Sequence, residues 1–204
     1  MRYPNLSQEL IDMLAQDQAE VVNYSRDYLS LATKERRKRK NELTKHCQVR
    51  AARMLAILET IHLPTIEAVG EKGVQAISVL ALHSSYSVMK RVLGLIKQAY
   101  ELNQDSVDSE AIATLTDRIR IIEGKQQLYG TQWLPGENNK PFLYPIYKFA
   151  TVNQLRSNYG LKAIRYPVNL ANHERHPLTS KDIKLFIRQP TPKEFNDYIS
   201  PYID

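Results

Sequence analysis

The chain has 204 residues, of which 43% are hydrophobic and 25% charged, with a formal net charge of +6. That length can bury a core and that composition excludes wholesale disorder, while no apolar run approaches the roughly 18 residues that a membrane span requires. Cys47 is the single cysteine, so no internal disulfide can form, and the first ten residues carry no apolar signal region; a cytoplasmic protein is the expectation.

Asn5 with Gln8 reads as a capping-box helix start. Leu10, Leu14, Asp17, Val21, Tyr24, Tyr28 and Leu31 then recur at alternating four- and three-residue steps, which places all seven on one helical stripe. A second helix is expected over 38–61 on Leu43, Cys47, Met54, Ile57 and Ile61, stopped by Pro64. Gly70 and Gly73 punctuate a turn, after which Val74 to Leu82 is apolar nearly all round, the pattern of a helix buried at the centre of a bundle. A fourth helix follows over 86–102 through Val88, Val92, Leu95, Ile96 and Ala99. A fifth spans 109–123 on Ile112, Leu115, Ile119 and Ile122, with Gly124 as its C-terminal cap.

The stretch 125–150 has no helical period and is rich in Pro, Gly, Gln and Asn. A connection so long is commonly functional or disordered, and Trp133, Tyr144 and Tyr147 argue for order. Short helices are expected near 151–159, closed by Gly160, and near 193–199. The fold class is therefore all-α: a bundle of about five main helices over 1–171 with a long irregular loop, followed by a polar, Pro-punctuated extension over 172–204.

Several polar residues stand where hydrophobes belong. Asp17 sits on the apolar stripe of the first helix, and a buried carboxylate must be neutralised, hydrogen-bonded or paired. Arg50 is a candidate partner for it on the second helix. His83 leaves the apolar helix on the face of Ala76, Val79 and Leu80; a histidine there offers an acid or base that works near neutral pH, or a satisfied core residue. Asp117 and Arg118 adjoin the inner face of the fifth helix. Gln126, Gln127, Tyr129, Thr131, Gln132 and Trp133 crowd hydrogen-bonding groups around Gly130, as the lining of a polar pocket or a self-satisfying turn would. His173 and His176 have ligand spacing, but Pro177 and a loop setting undercut a zinc site, so no metal is expected. No phosphate loop, nucleophile elbow or dinucleotide fingerprint is present.

Charge is unevenly spread. From Thr33 to Arg53 nine Lys or Arg face two Glu, a local +7 that leaves −1 for the rest of the chain. Lys34, Arg36, Arg37, Lys38, Arg39 and Lys40 can attract nucleic acid or an anionic membrane surface. No aromatic residue interleaves them as base stacking favours, so a solvated helix face is the preferred reading.

At Asp117-Arg118, Glu123 to Gln127 and Tyr129-Gly-Thr-Gln132 the sequence resembles a bacterial family catalogued only as a domain of unknown function. The resemblance takes in Asp17-Gln18, Leu63-Pro-Thr65, Val69-Gly70, His83, Val152 to Arg156 and Gly160 to Tyr166, and so covers roughly 6–170. The family pattern has Gln ahead of the His, where this chain has Leu82. No activity is established for it. The resemblance implies that Asp17, His83, Asp117, Arg118, Gln127, Tyr129 and Gln132 belong to one signature. The leading expectation is a small enzyme or small-molecule binder with His83 and Asp17 as catalytic residues and Arg118, Asp117, Gln127, Tyr129 and Gln132 as ligand contacts converging on one site; the cofactor is unknown. The alternatives are an interaction, immunity or regulatory protein without catalysis, or a nucleic-acid binder through the basic helix.

Overall fold

The structure, a computed structural model, describes residues 1–27, 31–135, 141–169, 174–177 and 187–199. The chain is mostly helical and divides into two compact units, Met1–Ala111 and Ile112–Ile203. No helix among the described residues is long and apolar enough to cross a membrane.

The first unit holds α1 (Pro4–Asp27), α2 (Thr33–Ile61), α3 (Ile66–Leu82), α4 (Tyr86–Leu102), a 3-10 turn (Gln104–Ser106) and the first residues of α5 (Ser109–Ile122). Pro4 opens α1, where its missing N–H costs nothing. The expected capping box is not made: Gln8 donates to Asp12, a turn further on. α1 and α2 run antiparallel, joined rung by rung through Asp27–Arg39, Glu20–His46, Asp17–Arg50 and Glu9–Arg53. α2 begins at Thr33, five residues before the sequence reading placed it. Lys, Arg and Glu are good helix formers and Glu35 pairs with Arg39 one turn on, so the charged run extends the helix and does not precede it.

α3 starts under a Thr65 cap that accepts from the Ala68 N–H. The expected turn at Gly70 is a kink inside α3, at φ 73° and ψ 167°, a conformation that side chains resist. Ser7 of α1 donates to the Val69 carbonyl beside the kink at 2.5 Å. Beyond it Val74, Ala76, Ile77, Leu80 and Ala81 are buried, and Leu10, Met54, Ile57, Met89, Val92 and Ile96 complete the core of this unit.

In the second unit α5 ends at Gly124 (φ 71°), where the Lys125 N–H reaches back to the Arg120 carbonyl. The segment expected to be irregular contains a hairpin, β1 (Trp133–Pro135) antiparallel to β2 (Pro141–Leu143), with Trp133 opposite Leu143. Ile121, Leu134, Phe142 and Tyr144 form one apolar cluster, and Leu143, Ile146, Val152 and Ile164 another. A 3-10 turn (Phe149–Thr151) leads into α6 (Val152–Ser157), and Gly160 closes it as expected, with the Leu161 N–H on the Arg156 carbonyl. β3 (Arg165–Asn169) pairs antiparallel with β4 (Glu174–Pro177), two strands the sequence reading did not foresee. His176 falls on β4, not on a helix, while Tyr28 and His173 lie outside the described residues. α7 (Pro192–Ile199) is set by a complete capping box: the Glu194 N–H donates to the Thr191 hydroxyl and Thr191 N–H to the Glu194 carboxylate.

Candidate functional site

The signature residues fall into two clusters, one in each unit. In the first, Asp17 lies just past the middle of α1, on the face that α2 and α3 cover, and its side chain is 1% exposed. His83 caps the C-terminus of α3 and turns its ring back toward α1. His83 Nδ1 meets Asp17 Oδ2 at 2.5 Å, and Arg50 Nη2 meets Asp17 Oδ1 at 3.0 Å. Arg50 is itself 8% exposed and shares its other nitrogen with Glu20 at 2.9 Å, and Glu20 holds His46 at 3.0 Å. Cys47 completes the group, its sulfur 3.7 Å from Asp17 and 3.5 Å from Arg50.

The electrostatics follow from that geometry. Burial pushes the Asp17 carboxyl up, but the His83 hydrogen bond, the His83 charge and the Arg50 guanidinium together outweigh it, and the group sits below the usual carboxylate range. An ionised carboxylate only accepts, so Nδ1 carries a proton and the neutral ring has its lone pair on Nε2. The imidazole is 26% exposed, and among the described residues Nε2 has no protein partner. Burial, followed by the Asp17 charge, pushes the Cys47 thiol up and away from thiolate, which argues against it as a nucleophile. The pairing of Asp17 with Arg50 that the sequence suggested is made. Glu20 and Cys47 were missed, although each stands three residues from a member of the pair on the same helix.

In the second cluster Asp117, fully buried on α5, accepts from the backbone N–H groups of Leu128, Tyr129 and Thr131 at 2.6–3.2 Å and from the Thr131 hydroxyl at 2.9 Å. Burial pushes its carboxyl up, and those same donors pull the other way. Gln127, also fully buried, donates to the carbonyls of Gln132 and Tyr144 and accepts from the Gln132 N–H. Arg156, 7% exposed and not singled out beforehand, gives its guanidinium to the carbonyls of Tyr129, Gly130 and Lys162. The loop 127–132 is thus gripped from three sides. Gly130 sits at φ 63°, with room for a Cβ blocked by Ile164 at 2.7 Å and Ile146 at 2.8 Å.

Arg118 donates to Gln132 Oε1 at 2.7 Å, and the same oxygen accepts the Tyr198 hydroxyl of α7 at 3.0 Å. The Arg118 guanidinium stands 4.9 Å from the Tyr198 ring. Tyr129 meets Tyr159 edge to face at 5.5 Å, and burial pushes its phenol up. Asp117 and Arg118 are therefore not a mutual pair: each serves the loop in its own way. Among the described residues no group of three or more His, Cys, Asp or Glu is arranged to hold a metal ion.

No curated protein and no solved structure matches the chain. One family does, over residues 4–174, which takes in both clusters and leaves α7 outside, and the chain belongs to it: the family of unknown function DUF6624.

Proposed function

We propose that the chain is a small enzyme that uses His83 Nε2 as a general acid–base, with Asp17 fixing the tautomer of the ring and facing the charge it gains with a proton. One observation carries this reading: a fully buried carboxylate, held from behind by Arg50, binds Nδ1 of an imidazole whose other edge is open. Nε2 has no protein partner among the described residues, which leaves it to water or a substrate. Among the described residues no Ser, Thr or Cys hydrogen-bonds to the ring, so the base acts on water or on a substrate proton, and a covalent nucleophile is not part of the proposal. In the second unit we assign Asp117, Gln127 and Gln132 to holding the loop, because their polar atoms are used within it, and a ligand-binding role to Arg118 and Tyr129.

The alternative is a protein that acts by interaction, with this cluster as glue. It is favoured by Asp17 tying α1 to both α2 and α3. The test separates the two. A panel of chromogenic esters, phosphodiesters, amides and lactones is assayed with wild type and His83→Gln, whose amide still donates to Asp17. The proposal expects turnover of at least one class to fall by about 100-fold or more, with the melting temperature within about 2 °C of wild type. Turnover that survives His83→Gln contradicts it. Absence of turnover together with a melting temperature lowered by about 4 °C or more supports the glue.

A further inference from the structure

The basic run of α2 is not used by either cluster, and the structure sorts its charges. Arg39 pairs with Asp27 and Glu35, and Arg36 donates to the Leu31 carbonyl. Lys34, Arg37, Lys38 and Lys45 point to solvent and make no ion pair among the described residues. Lys34, Lys38, Asn41 and Lys45 follow one another at four- and three-residue steps, one straight stripe on the outer face, with Arg37 flanking it. At 1.5 Å per residue the stripe is about 16 Å long, roughly the axial rise of five phosphates on one strand of a duplex. Lys34, Arg37, Lys38, Asn41 and Lys45 are all exposed, so the outer face of this half of α2 is open along the stripe.

We propose that this stripe docks on the phosphate backbone of duplex nucleic acid without reading its sequence. Charge complementarity argues for it: Lys34, Arg37, Lys38 and Lys45 put four cations with no ion pair among the described residues on one face, while the residues outside 33–53 sum to −1. The outer face has no aromatic residue to stack on unpaired bases, which favours a duplex over a single strand. Val49 is the one large apolar side chain exposed on that face, too little to anchor in a lipid surface. Paired cations such as Arg39 hold α1 against α2, and the unpaired ones are left to the ligand.

The experiment measures fluorescence anisotropy of a labelled 24-base-pair DNA with the full chain between 25 and 200 mM potassium chloride. Three variants accompany wild type. One changes Lys34, Arg37, Lys38 and Lys45 to Gln; a second changes the exposed Lys72, Lys97, Lys148 and Lys162 to Gln; a third changes Lys34, Lys38 and Lys45 to Arg, keeping the charge. Circular dichroism checks that each is folded. Four neutralised phosphates predict a log–log salt slope of about −3.6 for wild type. The stripe variant should bind at least tenfold more weakly at 50 mM with a slope near zero, while the other two stay within about twofold of wild type. An equal loss in the second variant shows a mere effect of net charge and overturns the proposal. So does absence of binding at 25 mM. Stripe-dependent binding to phosphatidylserine vesicles or to polyglutamate, with none to DNA, would assign the face to a membrane or an acidic protein and also overturn it.

Discussion

Asp17 stands where a leucine or isoleucine would have completed the face of α1 that carries Leu10 and Met13, and its burial is tolerable only because every part of the carboxylate is answered. His83 takes one oxygen, Arg50 and the Cys47 thiol the other. Its folded pKa is lowered relative to an ordinary carboxylate near 3.9. The sign of the linkage is then fixed: a depressed carboxylate contributes stability that is present above about pH 4 and lost as pH falls through the folded value. Urea unfolding of wild type followed from pH 7 to pH 2.5 should lose stability more steeply below pH 4 than Asp17→Asn, which has no proton to take up there. Parallel profiles for the two proteins would show that Asp17 is not held ionised by its partners. Anomaly on an apolar stripe was enough to find Asp17 and to nominate Arg50. It was not enough to find Glu20 or Cys47, because neither breaks any local pattern.

The helices were readable because their apolar positions repeat. α4 has the residues 86–102 expected of it, and α5 ends one residue short of expectation at its glycine cap. The segment after Gly124 was not readable, since its order comes from single long-range ties that leave no period in the sequence. Asp117 satisfies three backbone N–H groups of one loop, Gln127 joins that loop to the carbonyl of Tyr144, and Arg156 reaches it from α6. The crowding of polar side chains around Gly130 hinted at such a loop without saying what gripped it. Gly130 is the point at which the element is most exposed to a single change. A Cβ there is opposed by the positive φ and by Ile146 and Ile164. Gly130→Ala should therefore cost about 2–4 kcal/mol, backbone strain and overpacking together. Thermal unfolding followed by Trp133 fluorescence would read it. A loss under about 0.5 kcal/mol would mean that the loop is not held as described.

Across the whole chain the fold class and the membership of DUF6624 were within reach of the sequence, and the arrangement inside each cluster was not. Seven scattered residues were nominated for one site. Asp17 and His83 meet in the first unit. In the second, Asp117, Gln127, Tyr129 and Gln132 share a loop to which Arg118 is joined. The net charge of +6 likewise proved to be a local property of α2, divided between cations that fasten it to α1 and cations that face outward. The chemistry proposed rests on one proton: that His83 carries it on Nδ1, against Asp17, and keeps Nε2 for a substrate. Nitrogen-15 NMR of the histidine side chains, with all five imidazoles labelled, reads that directly in wild type and in Asp17→Asn. Neutral His83 should be the Nδ1–H tautomer with its Nδ1 proton far downfield, and Asp17→Asn should abolish that resonance while leaving the His62 signal in place. A neutral His83 protonated on Nε2, or a spectrum indifferent to Asp17→Asn, would contradict it.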